Sequence, residues 1–206
     1  MVKKGDIIEN PITGETIEFL LPAESTEGTL LQFAITLKPN GFIATPHVHL
    51  VQEEHITVQA GTTMLKQGNA VTMLTPGEVG VIPMRTPHTW WNAGESELKA
   101  VVEFRPALCM EDYLSSMFAL ARAGKTNRHG QPGLLQRAAS YRKYKYEHYL
   151  AQPSIKAQKR IYRSLGWLGY LLKYHADFPN RRQIFGRGFA IMSSEITPSP
   201  VNCPES

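Results

Sequence analysis

The sequence has few of the features that mark secreted, membrane-spanning or repetitive proteins. Its 206 residues include only two cysteines, Cys109 and Cys203, which form neither a zinc-binding spacing nor an evident disulfide framework. No run reaches the roughly 18 uninterrupted apolar residues of a membrane-spanning helix. The start at Met1–Asp6 leads into polar sequence rather than an apolar leader, and no internal repeat is visible. These absences predict a soluble protein of the reduced cytoplasm.

Charge is divided unevenly along the chain. Residues 1–110 contain 7 Lys and Arg against 12 Asp and Glu, whereas residues 111–206 contain 15 against 6, so a net charge of −5 is followed by one of +9. The change coincides with a change from strand-like to helix-like patterning. We therefore expect a β domain over 1–110, a basic helical extension over 111–196 and a disordered tail over 197–206.

The first part alternates short β-prone runs with turn residues. The predicted strands cover 16–21, 28–37, 54–59, 62–67, 70–74, 78–82, 88–92 and 98–104. Short strands at regular spacing favour an antiparallel sandwich or barrel.

Histidines lie on several of the strand-like segments between residues 41 and 92. His47 and His49 are one residue apart, so both side chains leave a strand on the same face. On a later segment, His88 has the same phase as Trp90, which indicates that the imidazole points to the buried side.

Two adjacent glutamates precede a strand whose apolar phase separates them. Ile56 and Val58 share the phase of Glu54, whereas Glu53 lies on the opposite face. Because an apolar phase marks the buried side of a strand, Glu54 is expected to point inward and Glu53 outward.

Three imidazoles and one carboxylate that meet in a barrel would suit a first-row transition metal, because these ligand types bind Fe, Mn, Ni and Zn. An unpaired inward carboxylate would otherwise be costly. The predicted ligand set for one divalent ion is His47, His49, Glu54 and His88. The remaining histidines are interpreted as hydrogen-bonded structural residues, among them His55, His129, His148 and His175.

This arrangement resembles the two motifs of the cupin superfamily. The first motif, a glycine followed by two spaced histidines, a glutamate and a second glycine, is matched at Gly41, His47, His49, Glu54 and Gly61. The second is matched at Gly77, Pro83, His88 and Asn92, with Arg85 at a position where the family has glycine. That departure concerns the backbone of a turn, because glycine tolerates a positive φ and arginine does not readily.

The resemblance implies a mainly β fold, the double-stranded β-helix or jelly-roll barrel, here followed by an α-helical C-terminal extension. It also implies a metal-dependent site for a small molecule. The favoured hypothesis is a mononuclear non-haem dioxygenase-type oxidoreductase in which Glu54 serves as ligand and proton acceptor in turn. Ile56, Val58 and Trp90 would form the apolar pocket wall.

Two other functions stay open at this point. Isomerase or decarboxylase chemistry could use the same ligands, because a fold does not fix a function. A non-catalytic cupin could instead sense or store a ligand. No second acid or base can be placed in the cavity from the sequence.

The basic second part predicts helices over 111–123 and 134–150, and an apolar stripe after Pro153 formed by Ile161, Leu165, Leu168 and Leu172. The favoured interpretation is that this stripe packs into a core. A sharper alternative is a basic amphipathic helix on an anionic membrane surface. Nucleic-acid binding ranks last, because no recognition motif is present. Pairing through sheet edges would make the protein a homodimer.

Overall fold

The computed structural model describes residues 2–43 and 45–178. The strands of this part are β1 Ile7–Asn10, β2 Glu15–Leu21, β3 Leu31–Leu37, β4 His47–Val48, β5 Glu53–Ala60, β6 Thr63–Gln67, β7 Ala70–Leu74, β8 Val79–Ile82, β9 His88–Asn92, β10 Leu98–Arg105 and β11 Tyr149–Leu150. The α-helices are α1 Met110–Arg122, α2 Leu134–Tyr144 and α3 Ile155–Leu171.

The strands form two antiparallel sheets, as the jelly-roll prediction requires. One sheet has the order β1-β2-β3-β10-β5-β8, and the other has the order β11-β4-β9-β6-β7. One core cluster contains buried side chains from both sheets, including Phe33 and Ile56 from the first and Leu65 and Trp90 from the second. The predicted β-barrel followed by helices is confirmed.

The inward phase of each strand follows the alternation in the sequence. In β3, every second residue from Leu31 to Leu37 is buried. The same alternation in β5 buries Glu54 together with Ile56 and Val58. Each large apolar side chain removed from water stabilises the fold by about 1.5–3 kcal/mol. A shift of register by one residue would reverse both faces, so these strands fix the direction of Glu54 as well.

Two turns of the barrel hold left-handed backbone. Gly61 has φ 80°, and a Cβ there would lie 2.8 Å from the carbonyl oxygen of Glu97. Arg85, at the position where the resembled motif has glycine, has φ 64°. The turn therefore keeps the conformation that favours glycine although the residue is arginine. The backbone N–H of Arg85 donates to the carbonyl of His49 at 2.7 Å, which ties this turn to the metal-ligand segment.

The helical region departs from the sequence prediction at two points. The predicted helix over 134–150 ends at Tyr144, and residues 149–150 instead form β11, which pairs with β4. The predicted stripe of α3 is not the buried face, because Ile161 and Leu172 are exposed.

The close approach of the α3 backbone to α2 explains why the predicted stripe is not the buried face of α3. Gly169 of α3 lies so close to α2 that a Cβ would sit 3.1 Å from the carbonyl of Leu135. The buried side chains of α3 are Gln158 and Tyr162 rather than the leucines. Small residues and polar hydrogen bonds, which apolar periodicity does not detect, thus set the packing face of this helix.

No helix within the described residues is both long and apolar enough to cross a bilayer. The predicted tail over 197–206 lies outside the described residues. Cys109, which precedes α1, is buried.

Candidate metal centre

Four predicted ligands come together in the barrel. His47, on β4, and His49, just after it, join Glu54 from β5 and His88 from β9, so the two sheets each contribute. One ligand atom from each residue lies within 4.8 Å of the others, and all four side chains are buried. The register pairs His47 with His88 across neighbouring strands.

Each imidazole is oriented by a backbone carbonyl behind it. Nδ1 of His47 donates to the carbonyl of Thr45 at 3.1 Å, and Nδ1 of His88 donates to that of Thr86 at 2.9 Å. Nδ1 of His49 donates to the carbonyl of Glu147. A carbonyl can only accept, so each Nδ1 carries a proton, and in the neutral form of each ring Nε2 keeps a lone pair for a ligand. This arrangement is typical of metal-binding histidines.

The Glu54 carboxylate is held on both oxygens. Its Oε2 lies 2.9 Å from Nε2 of His88 and 3.3 Å from Nε2 of His49. Its Oε1 accepts a hydrogen bond of 3.1 Å from the indole N–H of Trp90. The carboxylate is therefore preoriented toward the imidazoles.

Burial and histidine neighbours set the protonation of this cluster. Burial alone would raise the pKa of Glu54, but hydrogen bonds and attraction from His49 and His88 outweigh it and lower the pKa. Burial also opposes a charge on His88, yet Glu54 raises the pKa of that imidazole. Desolvation and the other histidines hold the pKa of His47 well below its ordinary value.

The residues fit a metal ion. Nε2 of His49 is buried and has no hydrogen-bond partner among the described residues, although it faces the carboxylate. An unsatisfied buried polar atom is destabilising unless something else binds it. A proton on His88 would complete its hydrogen bond to Glu54, but it would leave Nε2 of His49 without a bonding partner. A cation with borderline-soft character would satisfy all four groups.

A cavity of about 140 Å³ opens onto the cluster. Trp90 lines it as predicted, whereas Ile56 and Val58 are packed in the core and are not among its lining residues. The remaining wall comes largely from the helical region, including Tyr113 of α1 and Arg137 of α2.

His148 is one functional candidate that sequence reasoning missed. Its ring stacks on His47 with centroids 4.8 Å apart and on Tyr113 with centroids 5.1 Å apart. Burial and the nearby His49 and His88 lower the pKa of His148 to about 3. The side chain is thus a neutral imidazole beside the cluster. A single histidine in a loop gives no periodic signal, so only tertiary structure places it here.

Glu15 is a second missed candidate. It is buried on β2, lines the cavity and accepts a hydrogen bond from the hydroxyl of Thr13. Burial raises its pKa to about 7, against the lowering effect of Thr13. The cavity therefore does contain a second acid or base. The alternation of Glu15 with buried Ile17 and Phe19 was the available sequence signal.

The helical region completes the environment of His49. The backbone carbonyl of Glu147 orients that imidazole, and Tyr149 and Leu150 of β11 pair with Val48 and His47. The Glu147 side chain is itself buried and accepts from the backbone N–H of Cys109 at 3.1 Å. The metal-ligand segment is thus held by contacts on both sides of the predicted boundary at residue 110.

Comparison with known proteins gives a family assignment for the barrel. The family model described as Cupin domain matches residues 33–104, which include all four cluster residues. A search of curated proteins found no match.

Solved structures with similar folds include three cupins of different description. A sugar phosphate isomerase from a cupin superfamily of Silicibacter pomeroyi is 18% identical, with 46% of this chain and 60% of that chain covered and a TM-score of 0.40. A predicted oxalate decarboxylase of Thermotoga maritima is 17% identical, with 52% and 98% covered and a TM-score of 0.45. The Cupin_2 domain of an XRE family transcriptional regulator of Enterobacter cloacae is 22% identical, with 45% and 96% covered and a TM-score of 0.40.

The matched residues run from within β3 to within β10 and include the four-residue cluster, whereas β1, β2, β11 and the helices lie outside the match. Part of the β-barrel thus matches the Cupin domain family model, and a helical C-terminal region follows it.

Proposed function

We propose that this protein is a metal-dependent cupin that acts on a small molecule. The ion is one divalent transition metal, Fe, Mn, Ni or Zn, held by His47, His49, Glu54 and His88. The observation that carries the proposal is the set of three carbonyl-oriented imidazoles around one carboxylate, with buried Nε2 of His49 3.3 Å from Oε2 of Glu54 and without a well-directed hydrogen bond.

A bound ion would supply Lewis acidity and open coordination positions for oxygen atoms of a ligand. The chain supplies the rest of the environment. The indole of Trp90 holds one carboxylate oxygen of Glu54, and the neutral ring of His148 packs against His47. The surrounding aromatic and apolar walls exclude water from the cluster.

For the reaction we propose mononuclear dioxygenase-type oxidoreductase chemistry, because an imidazole and carboxylate ligand set with open positions suits non-haem iron. In this proposal Glu54 is first of all a ligand, since its lowered pKa makes it a weak proton acceptor. Its second role as proton acceptor remains a prediction.

Glu15 favours a second candidate function, an isomerase or decarboxylase. A buried carboxyl with a pKa of about 7 is poised to exchange protons near neutral pH. It lines the same cavity as the cluster. A third alternative is a non-catalytic protein that binds the same small molecule as sensor or store.

Elemental analysis of the purified full chain tests the metal assignment. We expect about one transition-metal ion per chain in the wild type and little metal in the double variant His47→Ala, His49→Ala. The exposed His175→Ala is the matched control and should keep the wild-type content. Equal metal content in the wild type and the double variant would contradict the assignment.

Activity screens then separate the reaction classes. Oxygen uptake with catechols, flavonols or thiol acids supports the oxidoreductase. Isomerisation or release of CO₂ without oxygen uptake, lost in Glu15→Gln, supports the second candidate. Metal occupancy with thermal stabilisation by a ligand but no turnover supports the binding protein.

We also propose a homodimer and a cytoplasmic location, with peripheral membrane contact through α3. The α3 end exposes Trp167 by 65%, Tyr170 by 72% and Leu171 by 62%. Basic side chains near its start would face anionic headgroups. Co-sedimentation of the full chain with anionic vesicles tests this contact, and absence of binding would rule out the proposed membrane contact.

A further inference from the structure

The wall of the cavity opposite the sheets carries one arginine. Arg137 of α2 lines the cavity together with Tyr149 of β11 and His148, which stacks on His47. Among the described lining residues, Arg137 is the only lysine or arginine. Its positive charge requires a counter-charge.

The guanidinium of Arg137 lacks an acidic partner. Its Nε is buried without a hydrogen bond, and no ion pair among the described residues includes this side chain. The phenol of its neighbour Tyr162 interacts with the guanidinium through a hydrogen bond, but a neutral phenol does not compensate a full charge. A partly buried unpaired charge is costly, and proteins rarely keep one without a counter-ion.

A second polar group in the same wall is also unsatisfied. The hydroxyl of Tyr149 is buried and has no geometrically acceptable hydrogen-bond partner, although Tyr141 is close enough to affect its ionisation. Burial raises the pKa of Tyr149, so the hydroxyl is a neutral donor at physiological pH. A guanidinium and a phenol are both suited to the oxygens of a carboxylate or phosphate.

Tyr149 lies next to the segment that carries His47 and His49, and Arg137 lines the same cavity. β11 pairs Tyr149 with Val48 and Leu150 with His47. The cavity of about 140 Å³ compares with an engineered 150 Å³ cavity that holds benzene, so it fits a ligand of about six non-hydrogen atoms. The helical wall and three residues of the cluster, His47, His49 and Glu54, line this one cavity.

We propose that Arg137 and Tyr149 form an anion-binding subsite that receives the carboxylate or phosphate group of the small-molecule ligand. The subsite belongs to the helical region, outside the matched cupin residues. The inference deepens the proposed function, since it rests on that function for what happens at the other end of the ligand. The substrate class is a small organic acid or phosphate ester with a metal-binding oxygen.

Calorimetric titration of the chelator-treated full chain with malonate and, separately, inorganic phosphate tests the subsite without the metal. We expect Arg137→Met to weaken binding of the preferred anion by about tenfold or more, because a charge-assisted hydrogen-bond partner is lost. Tyr149→Phe should weaken it by about threefold to tenfold. Arg142→Met, on the exposed side of the same helix, is the matched control and should bind like the wild type. The ratio of the malonate and phosphate affinities tells which anionic group the subsite prefers.

Thermal unfolding in anion-free buffer distinguishes binding from a structural role. Arg137→Met and Tyr149→Phe should unfold at the wild-type temperature or above, because each removes an unsatisfied buried group. A structural role would instead lower both temperatures. If Arg137→Met fails to fold, the anion affinity of Tyr149→Phe still tests the subsite.

Two results would overturn the subsite: wild-type protein that binds neither anion at about 10 mM, or variants that bind both as tightly as the wild type. Failure of the metal assignment is separate, because it appears in elemental analysis and leaves anion binding to the metal-free chain unchanged.

Discussion

At the scale of single residues, two buried carboxyls in one barrel have pKa values driven in opposite directions. Glu54 lies among imidazoles and Trp90, which stabilise its charge. Glu15 has only the hydroxyl of Thr13, so desolvation dominates. Environments that separate two carboxyls in this way favour different tasks, and the tasks proposed here are metal ligand for Glu54 and proton carrier for Glu15.

Glu15 should make stability depend on pH. Its pKa is about 7 in the folded protein against an ordinary 4.5, so the folded state keeps a proton that the unfolded chain releases between these values. The free energy of unfolding should therefore fall as pH rises through this window, by up to roughly 3 kcal/mol. Glu15→Gln should remove that fall, as measured by urea unfolding at about pH 5 and pH 8.

The matched control for this measurement is Glu18→Gln, an exposed residue of the same strand. It should keep the wild-type dependence on pH. A wild-type protein and a Glu15→Gln variant with parallel pH curves would show that Glu15 titrates normally.

The sequence predicts residues that follow a period and misses those placed by tertiary contacts. The phase of Ile56 and Val58 places Glu54 correctly, and motif spacing places the three histidine ligands. His148 lies in an irregular segment, and the unpaired state of Arg137 depends on which side chains surround it. The left-handed turn at Arg85 follows from the motif and not from the residue, because arginine by itself disfavours a positive φ.

At the scale of elements, the two-residue strand β11 links the helical region to the site. Gln158 of α3 holds this strand through its amide. It accepts from the N–H of Leu150 at 3.1 Å and donates to the carbonyls of Leu150 at 2.8 Å and Pro153 at 2.6 Å. The side chain is almost fully buried. One amide of α3 thus holds the short strand that pairs with β4.

Gln158→Leu should destabilise the protein by about 2–4 kcal/mol, because it leaves buried backbone groups of Leu150 and Pro153 without partners. Metal affinity should also fall by about tenfold, since β11 follows directly on the Glu147 carbonyl that orients His49. Chemical unfolding and competitive chelator titration measure the two effects. Gln152→Leu, an exposed neighbour, is the control. If the variant is destabilised but keeps its metal affinity, β11 does not affect metal binding at the site.

The elements themselves were mostly predictable. Eight predicted strands match observed ones to within a few residues, because alternation and turn residues agree there. The strands that were missed, β1, β4 and β11, have two to four residues, too few for a periodic pattern. The packing face of α3 was predicted wrongly because glycine and glutamine, rather than leucine, form it.

At the scale of the whole molecule, β7 and β8 are edge strands of the two sheets and are consecutive in the chain. They expose Val71 by 49%, Met73 by 59%, Val79 by 51% and Val81 by 43%. We call these four residues the edge patch. Apolar side chains beside unpaired strand backbone favour association with a second sheet. The edge patch is therefore the surface that we expect to bury in the proposed homodimer.

Met73→Lys should shift the protein toward monomer, because the change places an unpaired charge in the contact. Light scattering at micromolar concentrations measures the mass. Ile7→Lys changes an equally exposed residue on the opposite edge, in β1, and should leave the dimer intact. A monomeric wild type, or a dimer that tolerates Met73→Lys, would rule out this interface.

The hydrogen bond from His49 to the carbonyl of Glu147 spans 98 residues of sequence. During synthesis the barrel strands leave the ribosome well before that carbonyl, and domains generally fold from the N-terminal side first. In a nascent chain, three of the four candidate ligand side chains can therefore be in place while the ring of His49 is still free to rotate. The candidate metal centre is complete only after the segment around Glu147 has been synthesised and has packed against the barrel.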